Sequence, residues 1–176
     1  HEKKYRDKAL ILIGFAGGFR RSELVNISYE DVEFVPEGVK ILIRRSKTDQ
    51  SGEGSIKAIP YFDNQEFCPV IALRNYINDK FTNINNGKIF EISDKSVALI
   101  IKKYASKAGL DSSKYAGHSL RSGFATTAAE FGAEERNIMA MTGHKTTQMV
   151  RRYIQEANLF KNNALNKIKI WFLQLF

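Results

Sequence analysis

The chain has 176 residues, enough for one compact domain with a sizeable core. Its 27 Lys and Arg exceed 19 Asp and Glu, and the resulting formal charge of +8 favours a polyanionic partner such as nucleic acid. A single cysteine, Cys68, excludes an intramolecular disulfide, and with His118 and His144 the only histidines beyond His1 there is no zinc-ligand set.

From the N-terminus, the charged opening His1-Glu2-Lys3-Lys4 is followed by an apolar run at 9–16 that is too short for a signal peptide. With one unpaired cysteine, a cytoplasmic setting is expected. A leading histidine in place of methionine reads as a start inside a longer protein. Residues 5–16 are rich in Leu, Ile and Ala and end at Gly17-Gly18, the pattern of a buried helix with a glycine stop, so Arg20 begins a new turn. A short helix from Ser22 turns Leu24 and Val25 inward. Strands are then expected at 31–34, 40–45 and 55–60, separated by the turn clusters Pro36-Glu37-Gly38 and 49–54, giving a small three-stranded antiparallel sheet. Its second hairpin carries Arg44, Arg45 and Lys47 on or beside an exposed loop.

Pro69 suits the first turn of a helix to about Lys80, with Val70, Leu73 and Ile77 on one face. A further helix is expected at 94–108, with Ser93 as N-cap and Gly109 at its end. The helix from Ser119 stops at Gly132, a shorter one covers 134–141, and Thr146 or Thr147 caps the helix that bears Tyr153. A tail helix at 159–176 carries Leu159, Phe160, Ala164, Leu165 and Ile168 as its apolar stripe; its last apolar run is far below the ~20 residues of a bilayer span, and no membrane partner is expected. The fold class is therefore α+β, mainly helical with one small sheet.

The chemistry concentrates late in the chain. His118 at the N-cap position and Arg121 in the first turn both reach a point beyond a helix N-terminus, where backbone N–H groups and the positive end of the dipole also favour an anion. His144 follows Gly143 on a turn, and Tyr153 lies nine residues further on, about two turns into the next helix. Arg20 and Glu23, three residues apart, supply a second arginine with a carboxylate beside it. Cations for non-bridging oxygens, an acid/base and a potential nucleophile are what attack on a phosphodiester needs.

In this order these segments resemble the tyrosine recombinase, or phage integrase, family over almost the whole chain: Gly18-Phe19-Arg20-Arg21-Ser22-Glu23, Ser46-Lys47-Thr48-Asp49-Gln50, His118-Ser119-Leu120-Arg121, Gly143-His144 and Tyr153. Where that family often has Thr-Gly-Leu and Leu-Gly-His, this chain has Gly17-Gly18-Phe19 and Thr142-Gly143-His144. The resemblance implies the catalytic domain of a DNA breaking and rejoining enzyme at 1–158, without the helical core-binding domain that precedes it in the family. It also implies metal-free and ATP-free transesterification through a 3′-phosphotyrosyl link on Tyr153, with no cofactor. Arg20, Arg121 and His144 would neutralise the phosphate, Lys47 would protonate the leaving 5′-oxygen, His118 would help accept the tyrosine proton, and Glu23 would support Arg20. Arg45, Lys57 and Arg151 read as contacts to DNA phosphates. Double-stranded DNA is the implied partner, with a synaptic tetramer on DNA and a monomer or weak oligomer when free. The tail at 159–176 either packs into a neighbouring protomer or folds back on its own domain. Two other readings remain open at this level: a type IB topoisomerase-like enzyme, which shares the chemistry, and a noncatalytic DNA-binding relic.

Overall fold

A computed structural model describes residues 2–44, 54–80, 87–159 and 161; the loop bearing Arg45 and Lys47 and the expected tail helix beyond 161 lie outside them. The chain divides into two compact units, residues 1–121 and 122–176.

In the first unit, α1 (Glu2–Ala16) and α3 (Pro69–Lys80) pack against each other; Ala9, Leu10 and Ile13 of the first and Val70, Leu73 and Ile77 of the second are buried. The helix α4 (Asp94–Lys107) buries Val97, Ile100, Ile101 and Ala105, and Ser93 caps it by accepting from the Ser96 N–H. Tyr76 stacks on Phe90 with ring centroids 5.7 Å apart. The short helix α2 (Arg21–Leu24) adds Leu24 to the core.

Three strands, β1 (Val32–Val35), β2 (Gly38–Ile43) and β3 (Ser55–Pro60), form an antiparallel sheet in the order β1-β2-β3. The first two are shifted by one or two residues from the sequence expectation. Asp31 is taken out of β1 by a 3-10 turn at Tyr29–Asp31, where its buried carboxylate accepts from the Ser28 N–H and from Arg44. Gly38 joins β2 because it pairs with Pro60, where a Cβ would lie 2.1 Å from the Ile59 carbonyl oxygen. In β2, Val39, Ile41 and Ile43 face inward and Lys40 and Leu42 outward, the period of two that one buried face demands. In β3 the same alternation buries Ile59 and Lys57 and leaves Ile56 66% exposed.

The helix α5 (Ser119–Glu130) starts where the sequence placed it. Its residues from 122 on belong to the second unit, where Ala125 and Ala129 pack with Ile138 of α6 (Glu135–Thr142) and Val150 of α7 (Thr147–Asn158). Gly143 closes α6 with φ +67°, the left-handed conformation that glycine takes without a Cβ penalty, and its N–H bonds to the Met139 carbonyl at 2.7 Å. Tyr153, Ile154 and Ala157 lie along the face of α7 that meets this cluster.

The close approach at Gly38 has a measurable consequence. Gly38→Ala sets a methyl against backbone that cannot rotate away, so β2 and β3 must separate. Urea denaturation is expected to show a loss of about 1–3 kcal/mol, the usual cost of overpacking.

Candidate active site

The loop that delivers Arg20 is built from the end of α1. Gly18 takes φ +56°, and the Phe19 N–H returns to the Gly14 carbonyl at 3.0 Å, closing the helix and leaving the Gly17 and Gly18 carbonyls without helical donors of their own. Side chains supply those donors. Lys57 Nζ donates to the Gly17 carbonyl at 2.7 Å, and Arg121 Nη1 donates more weakly to the Gly18 carbonyl at 3.4 Å. Phe19 between them is fully buried, with Lys57 Nζ 4.8 Å from its ring centroid in cation–π range.

Arg20 is held twice by Glu23. One carboxylate oxygen accepts from the Arg20 backbone N–H and the other from its guanidinium, both at 2.8 Å. The carboxylate side chain is 9% exposed and the arginine 35%, so the guanidinium has a fixed base and an open end. Arg121 is buried at 6% exposure in the first turn of α5. His118 immediately precedes that helix and is exposed. Arg20 pairs with Glu23, and the charges of Glu23, Arg121 and Arg20 all act on Lys57, an excess of positive charge that an anionic ligand would relieve.

The surroundings of Lys57 act on its ionisation. Burial pulls the ammonium down to about 8; Glu23 opposes the shift, while Arg121 and Arg20 add to it. A sequence reading that makes Lys57 a surface phosphate contact meets a side chain at 5% exposure, enclosed beneath the Arg20 loop. The signal was present in β3: with Ile59 inward, a period of two puts Lys57 inward as well.

In the second unit, His144 and Tyr153 have ring centroids 6.1 Å apart at 41°. Both line an open pocket of about 460 Å³ with Ser122, Gln148, Met149, Arg152 and Glu156. Thr142, fully sequestered at 1% exposure, lies 2.6 Å from His144 Nδ1 through its hydroxyl, a contact that the sequence motif did not suggest. Arg151, expected at DNA, is 63% exposed at its side chain and lies 3.6 Å from Glu135. Arg45 and Lys47 fall outside the described residues.

A family model described as the phage integrase family matches residues 1–159. The chain belongs to the phage integrase family. Among relatives of this phage-integrase chain, an integrase/recombinase xerD homolog of Selenomonas ruminantium is 51% identical over 175 residues, covering 93% of this chain and 51% of the relative. Tyrosine recombinase XerA of Pyrococcus horikoshii is 28% identical, covering 94% of this chain and 55% of the relative. The chain therefore spans about half the length of these relatives. Its fold matches a crystal structure of XerA recombinase with a TM-score of 0.70 at 21% identity, covering 98% of this chain and 57% of that one. A XerH site-specific recombinase bound to palindromic difH substrate in a post-cleavage complex matches with a TM-score of 0.68 at 16% identity, covering 92% and 47%.

The buried lysine makes a prediction for stability. Because its folded pKa lies below the ordinary 10.5, the unfolded chain binds the extra proton between pH 8 and 10.5, and stability from this group rises with pH across that window. Below about pH 8 the burial cost is constant. Chemical denaturation at pH 7, 9 and 10.5 is expected to show wild type gaining up to ~3 kcal/mol relative to Lys57→Met, at ~1.4 kcal/mol per pH unit. Taking the difference cancels Tyr104, whose pKa is raised mainly by burial in both proteins.

Proposed function

We propose that this chain is the catalytic half of a site-specific DNA recombinase or integrase that cuts and rejoins duplex DNA through a 3′-phosphotyrosyl intermediate on Tyr153. The observation that carries this reading is the pairing of Tyr153 with His144 on one open pocket, in a chain whose other unit holds Arg20 and Arg121 on a carboxylate-braced, cation-rich loop. Membership of the phage integrase family and relatives named tyrosine recombinase support it.

In the proposed reaction, Tyr153 Oη bonds to phosphorus as the bond to the 5′-oxygen breaks. The tyrosine proton passes to a neighbouring base, for which His118 is the family-based assignment, and Lys47 protonates the leaving oxygen. Arg20, Arg121 and His144 stabilise the charge that gathers on the non-bridging oxygens, with Glu23 orienting Arg20. Rejoining runs the same steps backwards with another 5′-hydroxyl, so the bond energy stays in the phosphotyrosine and neither metal nor nucleotide is consumed.

Double-stranded DNA is the proposed substrate, supported by the +8 charge and by the DNA-bound XerH relative in fold. Arg45 and Arg151 are proposed phosphate contacts, and Lys57 acts on the same phosphate site from beneath the Arg20 loop. Such contacts make binding steeply salt-dependent. A synaptic tetramer on DNA is the proposed active assembly, with a monomer or weak oligomer when free and the tail after 158 exchanged between protomers. Among the described residues no helix is long and apolar enough to cross a membrane; the proposed setting is the cytoplasm.

The test uses the full-length protein containing this chain on nicked suicide duplexes carrying candidate sites, without added metal. Wild type is expected to give a covalent protein–DNA band that survives denaturation, and Tyr153→Phe none. Arg20→Ala and Arg121→Ala should slow band formation by ~10²–10³, the cost of losing one preorganised donor at a developing oxyanion. A band that persists in Tyr153→Phe would overturn the assignment of the nucleophile.

A further inference from the structure

Thr142 ends α6 in the second unit, two residues before His144. Its hydroxyl oxygen takes part in two hydrogen bonds. It lies 2.8 Å from the Ile138 carbonyl, to which it must donate because a carbonyl cannot, and 2.6 Å from His144 Nδ1. A threonine hydroxyl has one hydrogen, and the bond to the carbonyl four residues back is a common use of it in a helix. With that hydrogen engaged, only a lone pair is left for the imidazole, so Nδ1 must carry the proton and donate.

We infer that Thr142 is a positioning residue that fixes the orientation of the His144 ring, with the proton on Nδ1 pointing at the hydroxyl. The inference rests on the recombinase reading above for its functional meaning, but not for its geometry. The left-handed turn at Gly143 folds the chain so that the ring returns to the helix end it has just left. Burial of Thr142 at 1% exposure shields the relay from competing water. A histidine ring is oriented by the bond its remote nitrogen makes, as with metal-bound histidines held by a carbonyl or carboxylate. Here a hydroxyl backed by the Ile138 carbonyl does this. In the neutral ring Nε2 then carries a lone pair and cannot donate, and the Tyr153 ring lies with its centroid 6.1 Å from that of the imidazole. The same nitrogen donates to a phosphate oxygen only in the imidazolium. With the ring held by Thr142, the phosphate role proposed for His144 therefore calls for the imidazolium.

The test reads the ring directly. Nitrogen-15 spectra of the labelled chain, with His144 assigned by loss of its signals in His144→Gln, are expected to show the neutral ring protonated at Nδ1. Thr142→Val, which keeps the volume and removes the hydroxyl, should shift the ring towards the Nε2–H form, and Thr142→Ser should restore Nδ1–H. A wild-type ring protonated at Nε2, or one unmoved by Thr142→Val, overturns the inference, and the wild-type spectrum decides even if the valine variant does not fold. In the full-length protein, Thr142→Val should slow covalent-complex formation roughly tenfold, the lower range for losing a partner that orients a metal-bound histidine. DNA affinity should be unchanged, and Thr142→Ser should recover the rate. An Nδ1–H ring in wild type with no covalent complex on any site would uphold the positioning role and count against the recombinase reading, so the two fail separately.

Discussion

The cation-rich loop of the first unit depends on two backbone carbonyls just past the end of α1. Where the chain leaves the helix its carbonyls need donors from elsewhere, and at Gly17 and Gly18 the donors are a lysine from β3 and an arginine from α5. Elements far apart in sequence are thereby tied to a single short loop. That loop also carries Phe19 into the core and Arg20 towards the open side, so the position of the guanidinium follows from hydrogen bonds made behind it. Glu23 completes the arrangement by holding both the backbone and the guanidinium of Arg20.

This construction has an electrostatic cost that suits its proposed task. Lys57 lies within electrostatic reach of Arg20, Arg121 and the Glu23 carboxylate, and burial together with the two arginines lowers its pKa to about 8. A cation-rich, preorganised site is strained until an anion enters, and the energy released on entry goes to whatever carries the most negative charge. A phosphoryl group gathering charge as a bond forms and breaks is such a species. The lysine is a buried strut beneath that loop, bonded to the Gly17 carbonyl.

The second unit is organised by a different device. Tyr153 belongs to an amphipathic helix whose apolar face, Val150 included, packs on Ala125, Ala129 and Ile138, and its ring lies 6.1 Å from that of His144. The imidazole is held through Nδ1 by the Thr142 hydroxyl at the end of the preceding helix. This anchor is neutral. It imposes direction through a chain of hydrogen bonds, Nδ1–H to hydroxyl to the Ile138 carbonyl.

Much of this was readable in the order of residues, because it depends on local rules. Glycine stops, the proline at a helix start and apolar periodicity located the helices, and the His-x-x-Arg and Gly-His segments with Tyr153 nine residues beyond pointed to the chemistry and the family. The strand ends were less accurate, since the Asp31 turn and the close packing of Gly38 on Ile59 depend on partners elsewhere in the chain. Lys57 and Thr142 show the boundary most clearly. Their residue types name only a cation and a hydroxyl; that one is buried against the Gly17 carbonyl and the other directs an imidazole was decided by tertiary structure. Sequence by itself determined which groups the chain has and their spacing along helices and strands. Folding decided which carbonyls lacked donors, which charges were desolvated and which proton a ring must hold, because hydrogen bonding and burial depend on atoms that only three dimensions bring together.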